Sequence, residues 1–351
     1  MNKVLYKCGL KWLRTPEFAG ELANCREVIV SLLCRYGAAV QALQAILRFS
    51  DKHPNCRLNV VTSPQLSPYV GALLRGKCIM HIVSHKNPIS VIRTLFSLGI
   101  NRADLGFNPW SSGNDGLFFA SLAKSRRTFS VFWKERTAQR RNFECENFHD
   151  FLNAYFGIER ESPTCNMNHS LPELPTEILV CPESSGPQRT LDLQHTFRLC
   201  EYLQSRWPDA HLLMAAVNSE YALIASQRNI PFLRLKKSAI SSRQLIERIQ
   251  AADLVVAVDS GPLNIAIAME RPVLALFSNE LPERVLPRNL ANATVLRHPQ
   301  MSGVSCQNAK CREPLCLWAL FDDKDIFATK QMWQPGTELK VVEDGCPWLG
   351  R

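Results

Sequence analysis

The stretch "DLVVAVDSGPLNIAIAMERPVLALFS", residues 253–278, decides the fold of this chain. Two apolar runs of strand length flank a Ser-Gly-Pro turn and a segment rich in Ala and Ile, an order typical of a βαβ unit in a parallel sheet. A carboxylate, Asp259, directly follows the first run. Because ligands of open α/β sheets bind beyond the carboxyl ends of the strands, we expect Asp259, Ser260 and Gly261 to lie at a binding site.

The turn after the first run suits an anionic, hydroxylated ligand. Backbone N–H groups at the start of the following helix favour a phosphate, and the Asp259 carboxylate can accept hydrogen bonds from sugar hydroxyls. Alternatively, Asp259 only caps the helix that follows it. Both interpretations are open at this stage.

Strand-like and helix-length segments alternate along most of the chain, which predicts two doubly wound α/β domains with a cleft between them. The first series starts at residue 27 and the second at residue 177. Between them "ERESPTCNMNHSLPELPTE" carries three prolines and little periodicity, as expected of a linker. The predicted parts are an N-terminal extension (1–25), an N-terminal Rossmann-like acceptor-binding domain (26–158), the linker (159–177), a C-terminal Rossmann-like nucleotide-sugar-binding domain (178–300) and a cysteine-containing segment (301–351).

Composition agrees with a folded protein of two domains. The chain has 351 residues, which is longer than a domain with a single hydrophobic core usually is. Its content of 46% hydrophobic and 21% charged residues is typical of a folded protein. The formal net charge of +9 indicates either an anionic partner or simply a basic, solvated surface.

Cysteine usage and hydropathy bear on the compartment. The 13 cysteines are odd in number, scattered and mostly in apolar contexts, which favours reduced thiols in a cytoplasmic protein. No apolar run approaches the length of a membrane span. Residues 1–25 mix Lys and Arg with Leu and Trp, and we interpret them either as an ordinary docking helix or as a segment lying on an anionic membrane surface.

The quoted stretch resembles the nucleotide-sugar motif of glycosyltransferase family 9, the ADP-heptose:lipopolysaccharide heptosyltransferases. In that family a strand leads into Asp-Thr/Ser-Gly, an Ala-rich helix follows, and Lys/Arg-Pro-Val opens the next strand. Residues 27–62, 103–129 and 181–214 are similar to other parts of the family, so the resemblance covers about residues 26–297.

The resemblance implies a GT-B fold, with two Rossmann-like domains facing a central cleft, and an inverting transfer of heptose from ADP-heptose to the lipopolysaccharide core. It implies no metal and no cofactor. The implied partners are a nucleotide sugar, an anionic core acceptor and the inner-membrane surface, to which a cytoplasmic enzyme would be peripheral. No RNA-binding signature is present, and we expect no nucleic acid partner.

Donor-binding residues follow from the same resemblance. The family places a Lys or Arg after the first strand of the C-terminal domain, and Arg189 in "SSGPQRTLD" matches it. The alternative for Arg189 is a solvated loop cation. The remaining expected donor contacts are Ser184, Ser185, Gly186, Asp259, Ser260, Gly261 and Asn264, the last in place of the family's His.

The position of the general base departs from the family. The first helix of the family opens with Gly-Asp, whose carboxylate is the base, whereas this chain has Gly37-Ala38, and a methyl group cannot take a proton. Asp115 in "SSGND" is our candidate replacement. The other two explanations are a changed donor or acceptor, and a chain that binds a nucleotide sugar or a partner protein without transferring the sugar.

Two further sequence features have alternative interpretations. A basic stretch fits an acceptor bearing phosphates and acidic sugars, or is a solvated helix face, and its candidate acceptor contacts are Arg126, Arg127, Arg140 and Arg141. A spaced set of cysteines, with Cys346 beyond it, is either a structural zinc site or a group of reduced thiols, and comprises Cys306, Cys311 and Cys316. The serine hydrolase elbow G-x-S-x-G is absent, as is a dinucleotide-binding G-x-G-x-x-G after the first strand.

Overall fold

The computed structural model divides the chain into two compact units. Unit 1 comprises residues 1–143 and 150–160, and unit 2 comprises residues 144–149 and 161–351. The structure describes residues 25–33, 36–84, 87–99, 103–108, 119, 120, 122, 128–130, 149, 153, 171–236, 238–287, 290, 292–298, 301, 304–306, 311–321 and 340–342.

Unit 1 is built on a five-stranded parallel sheet with strand order β3-β2-β1-β4-β5. The strands are β1 (Glu27–Leu32), β2 (Arg57–Thr62), β3 (Ile79–Ile82), β4 (Leu105–Asn108) and β5 (Thr128–Ser130). The helices are α1 (Tyr36–Lys52), α2 (Ser67–Leu74) and α3 (Pro88–Leu98). Strands β1 and β2 are buried along almost their whole length, as expected of central strands covered on both faces.

One glycine of unit 1 is required by close packing. A Cβ atom at Gly106 in β4 would lie 1.9 Å from the carbonyl oxygen of Ala120. The backbone that follows β4 therefore approaches the strand more closely than any side chain permits.

A chain of hydrogen bonds crosses unit 1 from β1 to α3. The side-chain amide of Asn59 donates to Glu27 Oε1 at 2.9 Å, so its Oδ1 is free to accept from His81 Nε2 at 3.0 Å. His81 Nε2 therefore carries a proton, and Nδ1 of the neutral ring accepts from Ser97 Oγ at 3.2 Å. Burial lowers the pKa of His81, the nearby Arg57 lowers it further and Glu27 opposes the shift.

Unit 2 is built on a six-stranded parallel sheet with strand order β11-β10-β9-β6-β7-β8. Its strands are β6 (Glu177–Cys181), β7 (His211–Ala216), β8 (Phe232–Arg234), β9 (Leu254–Val258), β10 (Val273–Phe277) and β11 (Ala293–Arg297). Its helices are α4 (Leu193–Arg206), α5 (Tyr221–Gln227), α6 (Ala239–Ala251), α7 (Gly261–Ala268), α8 (Pro282–Val285) and α9 (Leu315–Trp318).

Both sheets have the Rossmann strand order, in which the first strand is central and the fourth lies on its other side.

The same hydrogen-bond arrangement occurs at the amino-terminal edge of each sheet. Asp104 Oδ2 accepts backbone N–H bonds from Arg26 and Glu27 at 2.8 and 3.1 Å, and Asp253 Oδ2 accepts the equivalent pair from Thr176 and Glu177 at 2.9 and 3.1 Å. The expected α/β fold with two Rossmann-like domains is confirmed, whereas the cleft and the domain boundaries stay predictions.

Within unit 2, the described parts of the C-terminal segment pack against the helices and loops of the six-stranded sheet. The His195 ring stacks on Trp318 with a centroid distance of 5.1 Å, which fixes α9 against α4. Asn279 and Cys306 join by two bonds, from Cys306 N to Asn279 O at 2.8 Å and from Asn279 Nδ2 to Cys306 O at 3.0 Å. This ties strand β12 (Val304–Cys306), which pairs with β13 (Lys340–Val342), to the loop after β10.

Helix α6 begins at a side-chain cap. Its N-cap is Ser238, whose hydroxyl accepts from Ser241 N at 3.2 Å, while Ser241 and Ser242 are buried in the first turn. Strands β11 to β13 and helices α8 and α9 were not anticipated. No helix within the described ranges combines the length and the apolar composition that crossing a membrane requires.

Candidate functional site

The candidate site lies where the strand order of unit 2 reverses. Strands β6 and β9 are neighbours in the sheet, but the chain leaves β6 toward β7 and leaves β9 toward β10, on the opposite side. The loops that follow β6 and β9 therefore diverge, and this divergence opens a crevice at the carboxyl edge. The sequence-predicted donor residues come from these two loops and from the helix α7 that follows.

An ion pair joins the two loops. Arg189 Nη1 donates to Asp259 Oδ2 at 2.9 Å, across 70 residues of sequence. Arg189 ends a short 3-10 turn, Pro187–Arg189, after β6, and Asp259 directly follows β9. The N-cap of α7 is Ser260, so the alternative that Asp259 merely caps this helix is wrong. Arg189 is likewise not a solvated loop cation, because its side chain is only 28% exposed.

The Asp259 carboxylate is held in an environment of low polarity. The residue is 6% exposed. Burial raises the pKa of Asp259, the Arg189 guanidinium opposes that shift, and the Glu280 carboxylate adds to it. A buried carboxylate depends on its counter-ion, so the position of Arg189 is coupled to the charge of Asp259.

Four polar atoms on the two loops that carry this ion pair are buried and lack a hydrogen-bond partner among the described residues. They are Ser184 Oγ, Gln188 Oε1, Arg189 Nε and Ser260 Oγ. An unsatisfied buried polar atom costs about 1–3 kcal/mol, and such atoms are usually paired in folded proteins. Four of them on the two loops joined by one ion pair indicate a site shaped for a polar ligand that supplies the missing partners.

The start of α7 contributes backbone groups to the same edge. Ser260 is extended and makes no side-chain cap bond, and Gly261 opens the helix. Asn264 is turned back on its own helix, where its Nδ2 donates to Ser260 O at 2.9 Å. In the β6 loop, Ser184 N donates to Thr190 Oγ1 at 3.1 Å and Thr190 Oγ1 to Gly186 O at 3.0 Å, which shapes the loop, while Ser185 is exposed.

Further polar residues follow β10 and escaped sequence reasoning. Ser278 Oγ donates to Gln188 O at 2.7 Å and so holds the Arg189 turn. Glu280 Oε1 accepts from Arg284 Nη1 at 3.1 Å. Both residues follow an apolar strand beside β9, and that position could have marked them, but the family motif ends where β10 begins and does not include them.

The predicted residues of the N-terminal domain are largely beyond what the structure describes. Position 38 lies in the first turn of α1, just after β1, and strands β1 and β4 flank the point of reversed strand order in unit 1. Asp115 lies outside the described residues, and so do Arg126, Arg127, Arg140 and Arg141. Their assignments as base and acceptor contacts stay predictions.

The C-terminal cysteines do not form a described metal site. Cys306 packs with Met301 and Cys316 in a small apolar cluster, whereas Cys311 Sγ contacts Glu313 O at 3.5 Å. Within the described ranges, no three His, Cys, Asp or Glu side chains come together as metal ligands. Cys346 and residues 1–24 fall outside those ranges.

Comparison with known proteins identifies the domain that carries this site. The model of glycosyltransferase family 9 (heptosyltransferase) matches residues 177–316, which include both site loops and α7. Residues 177–316 form a glycosyltransferase family 9 domain. The resemblance seen in the sequence is thereby confirmed, as is the expected enzyme class of glycosyltransferase.

Solved structures show that the likeness of fold extends over both units. A family 9 glycosyltransferase from Veillonella parvula is 15% identical with a TM-score of 0.56, and the match covers 77% of this chain and 86% of that one. E. coli heptosyltransferase WaaC with ADP-2-deoxy-2-fluoro heptose is 13% identical with a TM-score of 0.56, and the match covers 78% of this chain and 93% of that one. E. coli ADP-heptose lipopolysaccharide heptosyltransferase II is 15% identical with a TM-score of 0.57, and the match covers 77% of this chain and 90% of that one. A sequence comparison with curated proteins gave no significant match. At these identities the structures establish the fold, and the substrate is argued from the site.

Proposed function

We propose that this family 9 domain binds a nucleoside diphosphate sugar, with ADP-heptose as the candidate, and that the protein transfers the sugar to an anionic lipopolysaccharide core. The observation that carries the proposal is the Arg189–Asp259 pair at the carboxyl edge, together with the unsatisfied buried donors on the two loops that it joins. The pair uses Nη1 of Arg189, while Nε lacks a partner among the described residues. The guanidinium is thus fixed in place but still able to donate to an anion.

Each group of the site has a separate task in an inverting displacement. The acceptor oxygen attacks the anomeric carbon while the bond to the diphosphate breaks, so negative charge develops on the leaving oxygens. Arg189, Ser184 Oγ and the backbone at the start of α7 would stabilise that charge, and because they are already oriented they need little reorganisation. Asp259 would accept hydrogen bonds from hydroxyls of the donor sugar.

The acceptor hydroxyl must also lose a proton. Asp115 is the proposed base, because position 38 holds Ala where the family has Asp. Ala38 is at the same time the observation that favours the second candidate function, a protein that binds the nucleotide sugar, or a partner protein, without transferring the sugar. The inner membrane, where the lipid-borne acceptor would be found, is a proposed partner of the protein in the cytoplasm.

Donor binding is tested by calorimetry with ADP and ADP-heptose on the wild type and the Ser260→Ala variant. Because Ser260 Oγ has no partner in the described structure, removing it should leave the melting temperature unchanged or slightly higher. A ligand that bonds to the hydroxyl would bind about 5- to 15-fold more weakly, the equivalent of one hydrogen bond of about 1–1.5 kcal/mol. Ser226→Ala, at an exposed serine of α5, is the matched control.

Wild-type affinity in Ser260→Ala and in Asp259→Ala would overturn the donor site. Transfer is tested with lipopolysaccharide acceptors and radiolabelled donor. Turnover that Asp115→Ala abolishes would support the transferase, and tight binding with no turnover in the wild type would support the silent relative.

A further inference from the structure

Helix α3 of unit 1 has apolar side chains on two opposite sides. Its inner side consists of Val91, Thr94, Leu95 and Leu98, spaced i, i+3, i+4 and i+7, and packs toward the core. Its outer side repeats the same spacing with Ile89, Ile92, Arg93 and Phe96. Burial in the core accounts for the inner side only.

The outer side is unusually exposed for its composition. Ile89 is 75% exposed, Ile92 is 52% and Phe96 is 83%. We call Ile89, Ile92 and Phe96 the α3 apolar face. Exposed apolar side chains that share one side of a helix in this way mark interaction surfaces.

The exposed charges that the structure describes in unit 1 are nearly all of one sign. Among its described residues the exposed basic side chains number six and the exposed acidic side chains one, Asp51, which is paired with Lys77. Arg93 stands within the α3 apolar face itself. The six basic residues are Arg26, Lys52, Arg57, Arg75, Lys77 and Arg93.

We propose that the α3 apolar face docks unit 1 on an anionic lipid surface, which specifies the contact for the membrane partner of the proposed function and rests on that proposal. A helix lying in the membrane plane buries Ile and Phe side chains shallowly, while Arg on the same face extends its charge to the headgroups. The other exposed basic residues of unit 1 add a longer-range attraction to acidic lipids. A second copy fits less well, because a two-fold interface would bring the same basic set against itself.

The test is co-sedimentation with vesicles of phosphatidylcholine alone and of phosphatidylcholine with 30% phosphatidylglycerol, a composition of about one anionic lipid in three. The wild type should bind the anionic vesicles, with binding reduced by raised salt. The double variant Ile89→Ser/Phe96→Ser should bind them at least about tenfold more weakly, because it loses two insertable side chains. Arg93→Glu should weaken binding to the vesicles that contain phosphatidylglycerol and should not change the result with phosphatidylcholine alone.

A matched control is available in unit 2. Ile240 and Leu223 are also exposed on helices, at 75% and 63%, and Leu223→Ser/Ile240→Ser should bind the vesicles as the wild type does. Equal loss in both double variants, or no binding by the wild type, would overturn the proposal. A dimer in light scattering that only Ile89→Ser/Phe96→Ser dissociates would instead assign the face to a second copy. The assay contains no nucleotide sugar, so its outcome and that of the donor titration are independent.

Discussion

Removing the cation of the Arg189–Asp259 pair should destabilise unit 2 even without ligand. In the Arg189→Gln variant the Asp259 carboxylate stays 6% exposed but loses the donor that lies 2.9 Å away. Two unit charges about 4 Å apart interact by about 4 kcal/mol at an effective dielectric constant of about 20. Breaking a buried pair from one side costs about 3–5 kcal/mol, and because the Arg189 side chain is 28% exposed, we expect the low end, about 3 kcal/mol.

The assay is thermal and urea unfolding of four proteins: wild type, Arg189→Gln, Asp259→Asn and the double variant. For a unit of this size, about 3 kcal/mol corresponds to a decrease in melting temperature of about 6–12 °C. The double variant should recover most of the loss, because no unpaired charge is left to bury. Arg243→Gln, at an exposed arginine of α6, controls for the loss of a surface cation.

The pH dependence supplies a second, independent check. The folded-state pKa of Asp259 is raised, and losing Arg189 raises it further, so the folded state binds its proton at a pH where the unfolded state does not. The penalty of Arg189→Gln should therefore be full at neutral pH and should shrink as the pH falls toward the unfolded value near 4. A penalty below about 1 kcal/mol, one independent of pH, or one that Asp259→Asn fails to relieve would refute the reasoning.

Two further predictions concern unit 1. Gly106→Ala should lower the free energy of unfolding in urea by about 2–3 kcal/mol, because its Cβ would lie 1.9 Å from the Ala120 carbonyl oxygen. The control is Gly71→Ala in α2, which should be neutral or stabilising because nothing lies within 4 Å of the added Cβ. Equal effects of the two substitutions would contradict this packing. Because the pKa of His81 is lowered in the folded state, unit 1 should lose stability as the pH falls below about 6.5. His81→Gln should flatten that dependence in pH-series melts, and an unchanged slope would exclude the role of His81.

Several elements were predictable because their signals are local. Strands β9 and β10 lie within the two apolar runs of the motif, and β1 and β6 begin at residues 27 and 177, where the two alternating series were expected to start. Strand β11 was missed because "ATVLR" is short and ends in an arginine, which nothing in the sequence marks as buried. Arg297 is in fact 3% exposed, and its Nε donates to Ser278 O at 3.3 Å. Only the packing of the loops after β10 and β11 provides that environment.

The sequence by itself determined the βαβ alternation, the family of the C-terminal domain and Asp259 and Arg189 as donor-site candidates, since apolar periodicity and a short motif are properties of neighbouring residues. The tertiary structure decided that these two side chains, 70 positions apart, form one ion pair, because only the sheet order makes β6 and β9 neighbours. It also decided which hydroxyls lack partners and which side of α3 faces solvent. These depend on what surrounds a side chain, and the linear order of residues does not specify those surroundings.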